Sequence, residues 1–150
     1  MPDLKIDAVD RRILAAVQSN GRMSNLEIAE KIGLSPTPCA RRLKRLEDEG
    51  AIKSYAAHIN PHALGLHISA MISVRLSRQT PGAAAQFLAG IKELPEITEW
   101  MCVTGDVDYL IRIWVKDVEA LRSFIAESLQ RMPSVAETAT MVILDAQHVK

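Results

Sequence analysis

The apolar positions of the chain keep two different rhythms, and the change between them falls just after Asn60. Before it the spacing is helical. Val9, Ile13, Leu14 and Val17 share one face, with Asp7 placed to cap the helix and Asn20-Gly21 to end it. Ser24-Asn25-Leu26-Glu27 has the S-x-x-E form of a capping box, so a second helix starts there with Leu26, Ile28, Ala29 and Ile32 as its apolar positions. Gly33 stops it, because glycine tolerates the left-handed conformation. Ser35-Pro36 then opens a third helix running to about Glu49, closed by Gly50, and Ile52 to Ala57 predicts a short strand.

The stretch Asn60-Pro61-His62-Ala63-Leu64-Gly65 breaks the pattern and predicts a linker over 59–66. Beyond it the period is two. Ile68, Ala70, Ile72, Val74 and Leu76 alternate with Ser69, Met71, Ser73 and Arg75, the signature of a strand. A helix follows Thr80-Pro81, with Ala84, Phe87, Leu88 and Ile91 inward. Ile97–Val103 and Tyr109–Val115 predict a hairpin. Asp117 caps a helix with Val118, Leu121, Phe124, Ile125 and Leu129 inward, and Val135–Leu144 is a last strand. The expected fold class is α+β. A winged-type helix-turn-helix domain over 1–58 precedes a ferredoxin-like βαββαβ domain over 67–150.

Composition changes this picture little. The chain has 150 residues, 48% hydrophobic and 24% charged, as expected of globular domains. Met1 is followed by no basic-then-apolar leader, and no run reaches the ~18 apolar residues of a membrane span, so a cytoplasmic protein is expected. Cys39 and Cys102 form no spacing motif. Net charge is zero, yet Ser35 to Leu46 holds Arg41, Arg42, Lys44 and Arg45 with no acid. Locally concentrated positive charge steers toward nucleic acid whatever the total.

The spacing around that segment gives the charge a geometry. Two helices joined by only Gly33-Leu34 must cross steeply, the helix-turn-helix arrangement, which leaves the third helix free to enter a major groove. At 100° per residue, Cys39, Leu43 and Leu46 form its inner stripe. Thr37, Arg41, Lys44 and Arg45 fall opposite, and Arg42 sits on the flank. Arginine can grip guanine O6 and N7 together, and Thr37 can bond a base or touch a thymine methyl. Lys44 and Arg45 lie further along and suit phosphates, as do the hydroxyl of Ser35 and free N–H groups at the helix start.

Ile6-Asp7, Asp10-Arg11-Arg12-Ile13-Leu14, Gly33-Leu34-Ser35-Pro36-Thr37-Pro38-Cys39, Arg42-Leu43, Leu46-Glu47 and Gly50-Ala51-Ile52 together closely resemble the Lrp/AsnC family of leucine-responsive and related regulators. The resemblance spans essentially the whole chain, including Val103-Thr104-Gly105-Asp106-Val107-Asp108-Tyr109. A departure is Trp100, where a smaller residue is more usual. The resemblance implies double-stranded DNA as a partner, with Ser35, Thr37, Pro38, Arg41, Arg42, Lys44 and Arg45 as its contacts. It also implies a small-molecule effector, most naturally an amino acid, and a dimer that builds octamers or larger assemblies associated with the nucleoid.

Gly105-Asp106-Val107-Asp108 is at least a tight turn. An amino acid needs a carboxylate for its ammonium and donors for its carboxylate; Asp106 and Asp108 can supply the first, N–H groups around Gly105 the second. The family motif favours Asp108 as the ammonium partner and brings Thr104 into the set. Thr138 and Thr140 on the last strand are further candidates. Tyr109, Ile111, Ile113 and Val115 point to one face of the sheet. Leu110 and Trp114 point to the other, with Met71, Trp100 and Cys102 placed alongside them. Two helices cover one face only, so the second apolar face predicts dimerisation through the sheet.

Two other readings share this plan. Siroheme decarboxylases use the same two domains, and an architectural protein would bind DNA with little preference for sequence. His58, His62 and His67 do not share a helical face or join a carboxylate cluster, and His148 at the tail reads as solvated. No nucleophile elbow, phosphate loop or zinc spacing occurs, so no enzyme, cofactor or metal is expected.

Overall fold

The computed structural model describes residues 5–78 and 80–146, and His148 lies outside them. The chain divides between His58 and Ile59 into two compact units.

The first unit packs three helices, α1 (Ala8–Ser19), α2 (Asn25–Ile32) and α3 (Pro36–Asp48). Local chemistry sets their ends. Asp7 and Asp10 form a reciprocal capping box on α1, and Ser24 and Glu27 form another on α2. Gly33 ends α2 at φ +64°, where a side chain would be strained, and Leu34 N–H then bonds Ala29 carbonyl. Ile13, Ala16, Ile28, Ala29, Ile32, Cys39 and Leu46 make the core. Each large apolar side chain so buried contributes about 1.5–3 kcal/mol.

The strand expected over Ile52–Ala57 is not formed; residues 53–60 have no regular secondary structure. A strand needs a ladder partner, and within the described residues none pairs with this one. The segment is tied down instead by Tyr55, whose hydroxyl donates to Glu47 Oε1 at 2.7 Å. Burial and that carboxylate push the phenol up to about 12.

The second unit opens with a 3₁₀ turn, Pro61–Leu64, inside the stretch expected as linker. Its sheet joins β1 (Ile68–Leu76), β2 (Ile97–Cys102), β3 (Tyr109–Val115) and β4 (Val135–Ile143). They are antiparallel in the order β2-β3-β1-β4, the ferredoxin-like arrangement. Helices α4 (Ala83–Ile91) and α5 (Val118–Ser123) lie between strands in sequence, and α5 continues as a π-helical turn, Phe124–Leu129. Phe87, Ile91, Leu121, Phe124 and Leu129 pack with Ala70, Ile72, Val74, Tyr109, Ile111 and Ile113.

Several expected inward positions shift. Ala83 is buried and Ala84 exposed, since the helix begins only after Gly82, at φ +67°. Val118 is exposed at the first turn of α5. The π-turn brings Phe124 and Leu129, five residues apart, onto the inner face together. Trp100 and Cys102 pair with Ile111 and Tyr109 and therefore share the helix-covered face, not the open one. A register irregularity between Ile97 and Glu99 reverses the parity that simple alternation gives. Met71 pairs with Arg112 between Leu110 and Trp114, on the open face as expected.

Candidate nucleic-acid interface and effector cleft

Helix α3 divides by face. Cys39 and Leu46 are fully buried, while Ser35, Thr37, Arg41 and Lys44 are exposed and Pro38 is half-buried. Ser35 occupies the N-cap without a side-chain cap bond, which leaves its hydroxyl available. Pro36 and Pro38 carry no N–H, so Thr37 supplies the free backbone donor of the first three helical positions. Asn25 Nδ2 donates to Pro36 carbonyl at 2.9 Å and fixes this end of α3 against α2. Lys44 pairs with Asp48, at 3.3 Å along its own helix.

Arg42 and Arg45 are engaged elsewhere. Arg42 Nη1 donates to Asp7 Oδ2 at 2.6 Å and to Asp10 Oδ1 at 2.9 Å. Arg45 Nη2 donates to Asp10 Oδ2 at 2.5 Å. Asp10 also accepts from Asp7 N–H at 3.1 Å, and its side chain is wholly inaccessible. Both arginines therefore brace α3 against α1 instead of standing free on the outer face where helical spacing put Arg45. Asp10, which sequence reasoning assigned no role, is the centre of this arrangement.

Burial works against the charge of Asp10. The Asp7 N–H and the two guanidiniums outweigh it and hold the carboxyl below its ordinary value of 3.8. Asp7 is held down by the Asp10 N–H and then by Arg42. Groups depressed in the folded state stabilise it above the unfolded carboxylate pKa, and that stability is lost as pH falls through the folded values. The melting temperature of this unit is expected to be level from pH 7 to about 5 and to fall once the pH passes below about 4. Circular dichroism of wild type against Asp10→Asn checks it: the variant's curve should be flatter in that acid window.

In the second unit the loop between β2 and β3 closes over the end of β1. Asp108 N–H donates to Val74 carbonyl at 2.9 Å, and Asp108 Oδ2 accepts from Leu76 N–H at 2.7 Å. Arg75 Nε donates to Asp106 carbonyl at 3.1 Å. Gly105, at φ +117°, makes the turn that these bonds require. Beside the loop is a cleft of about 830 Å³ lined by Arg75, Leu76, Ser77, Arg78, Gly105, Asp106, Asp108 and Ala136. It offers carboxylates and guanidiniums together, the complement of a zwitterion. Arg75 and Arg78 were missed from sequence; their only signal was a basic residue at the end of an alternating strand.

Gly105, Asp106 and Asp108 are thus brought together. Thr104 is exposed on the loop but does not line the cleft. Thr138 pairs with Val74 and accepts from Gln130 Nε2 at 3.1 Å, and Thr140 pairs with Ile72. Neither lines the cleft; Thr138 lines a smaller cavity of about 110 Å³ beside it, which shares Arg75.

Residues 69–148 match the Lrp/AsnC ligand binding domain, and residues 6–53 match a winged helix-turn-helix DNA-binding domain. The chain belongs to the Lrp/AsnC family. The leucine-responsive regulatory protein of Salmonella typhimurium is 41% identical over 96% of this chain and 88% of its own length. A transcriptional regulator from Neisseria meningitidis, solved with L-Met, superposes with a TM-score of 0.91 at 34% identity, covering 96% of this chain and 94% of that one. AsnC of E. coli gives 0.86 at 25% identity, over 98% and 97%. This Lrp/AsnC protein is accordingly a transcription regulator, not an enzyme, with a DNA-binding and a ligand-binding domain. Among its described residues no helix is long and apolar enough to cross a membrane.

Proposed function

We propose that the protein reads specific DNA sequences through α3 and that its assembly or DNA affinity responds to an amino acid. The observation that carries the reading is the exposure of Ser35, Thr37, Arg41 and Lys44 over a buried Cys39 and Leu46. Arg41 is the base-reading cation, Lys44 and the Ser35 hydroxyl meet phosphates, and Thr37 and Pro38 approach the groove. Arg42 and Arg45 support the helix from behind.

The effector lies in the cleft beside Gly105. The oxygen of Asp108 not engaged by Leu76 takes its ammonium, and donors of the loop or of Arg78 take its carboxylate. The L-Met bound to the Neisseria relative favours an apolar amino acid. The domains run 1–58 and 67–150, and the protein works in the cytoplasm at the nucleoid. Its building block is a dimer joined through the open sheet face of Met71, Leu110 and Trp114, and dimers assemble into octamers or larger.

One pair of variants tests the two halves together. Thermal-shift screening against the twenty amino acids finds the effector, because binding to the folded state adds RT ln(1+[L]/Kd) to stability. Arg41→Ala is expected to lower affinity for a duplex selected by wild type roughly tenfold or more, at about 1–3 kcal/mol per bidentate contact. Asp108→Asn keeps an acceptor for Leu76 N–H but loses the charge. It is expected to weaken the effector shift at least tenfold with DNA binding intact, measured by titration calorimetry. Unchanged operator affinity in Arg41→Ala would sink the groove reading, and unchanged effector affinity in Asp108→Asn the ligand reading.

A further inference from the structure

The arrangement around Asp10 has a consequence for specificity as well as for packing. Asp7, Asp10, Arg42 and Arg45 form a quartet of two negative and two positive groups, and Glu49 Oε2 stands 3.9 Å from Arg45 Nε as a further carboxylate. Each oxygen of Asp10 takes a different arginine, and its side chain is 0% accessible. Pulling either arginine toward a phosphate would leave a buried carboxylate short of compensation, which is strongly unfavourable. The cluster therefore persists beside a duplex, and the duplex meets it as a patch without net positive charge.

We propose that Asp10 is a positioning and specificity-determining residue that withholds Arg42 and Arg45 from the DNA backbone. This rests on DNA being read through α3. Half of the basic residues of that helix are thereby removed from sequence-independent attraction, which depends on cations neutralising phosphates. What remains on the outer face, Arg41 and Lys44, is a small charge carried where base contact is possible. Weak binding to arbitrary DNA and selective binding to an operator both follow, because specificity is the ratio of the two affinities. A brace that served packing alone could be built from apolar side chains and would leave no signature in salt dependence.

The experiment is fluorescence anisotropy of the full chain on a scrambled-sequence duplex and on a duplex selected by wild type, across salt concentrations. Asp10→Asn changes the quartet by one positive charge. The slope of log K against log salt on scrambled DNA is expected to steepen by about 0.9 per protomer. The ratio of affinities at 50 and 200 mM salt then rises about three- to fourfold per protomer, and the preference for the selected duplex falls correspondingly. Adding Arg42→Gln to Asp10→Asn restores the wild-type charge of the cluster and should return the slope to wild type. Should Asp10→Asn fail to fold, Asp7→Asn replaces it. Asp7 is half-exposed, pairs with Arg42, and asparagine is an equally good N-cap. A folded variant with wild-type slope and wild-type preference overturns the proposal. Failure of the α3 reading shows separately, as unchanged operator affinity in Arg41→Ala while the Asp10→Asn slope still moves.

Discussion

Trp114→Glu is expected to turn the protein into a folded monomer that no longer holds an operator. Trp114 lies on β3, on the face of the sheet that α4 and α5 do not cover, flanked in register by Ser69 of β1. Met71 sits opposite Arg112 on the same face, Leu110 pairs with Ser73 and with Met101, and Met141 pairs with Met71. This is an apolar patch interrupted by Arg112 and serines, the composition that the proposed dimer requires of its interface. In a two-fold arrangement the same patch meets itself, so each substitution acts twice. Trp114 stands near the end of β3 with its ring edge-to-face against His62 at 6.0 Å, and a tryptophan buried in an interface contributes about 2–4 kcal/mol. Losing two of them, with two carboxylates placed in apolar surroundings, raises the dimer dissociation constant by roughly 10³-fold or more. Sedimentation equilibrium measures it. Operator affinity should fall with it, because on the proposed reading a monomer presents one helix where a dimer presents two, matched to half-sites about one helical turn apart. A variant that stays dimeric would remove the open sheet face as the interface.

How far the sequence foretold these surfaces depends on the range of the interaction. The cap at Asp7, the capping box at Ser24, the glycine stop at Gly33 and the alternation of Ile68 to Leu76 were all legible. Their causes lie within a few residues of one another. The order of the strands was legible for the same reason at one remove: alternating helices and strands of these lengths admit few topologies. The face of Trp100 was not legible, because an irregularity beside Ile97 shifts the register and parity cannot be counted through it. Nor was the absence of the Ile52–Ala57 strand, since a strand exists only if a partner does.

The site shows the same division. Thr37 and Arg41 on the outside of α3 followed from 100° per residue, a property of that helix alone. The engagement of Arg42 and Arg45 by Asp10 did not, as it joins residues 32 and 35 positions apart and depends on where α1 crosses α3. In the cleft, the turn at Gly105 was legible from composition. The anchoring of Asp108 by Leu76 N–H, and the presence of Arg75 and Arg78, required the sheet to bring the end of β1 beside the loop.

Leu46→Ala is expected to lower the melting of the helical unit strongly and to leave that of the sheet unit nearly unchanged. Leu46 is wholly inaccessible in a core shared with Ile13, Ile28, Ile32 and Cys39. Truncating a buried leucine to alanine costs about 2–5 kcal/mol, the transfer of its methyl groups plus the cavity left behind. A unit of this size is marginal, with about 3–9 kcal/mol of stability at the usual yield per residue, so the loss removes a large part of it. Helix α3 has no independent means of staying formed, since helices this short owe their stability to packing. Specific DNA binding should therefore fail at temperatures where wild type binds. The sheet unit has a separate core around Phe87, Ile111 and Leu129, and its melting should move little. Calorimetry would then resolve two transitions, the first lowered well below the second. Leu26→Ala is the control: Leu26 is 58% exposed on α2, and its removal should change stability by no more than about 0.5 kcal/mol. Equal displacement of both transitions by Leu46→Ala would mean that the two units unfold as one.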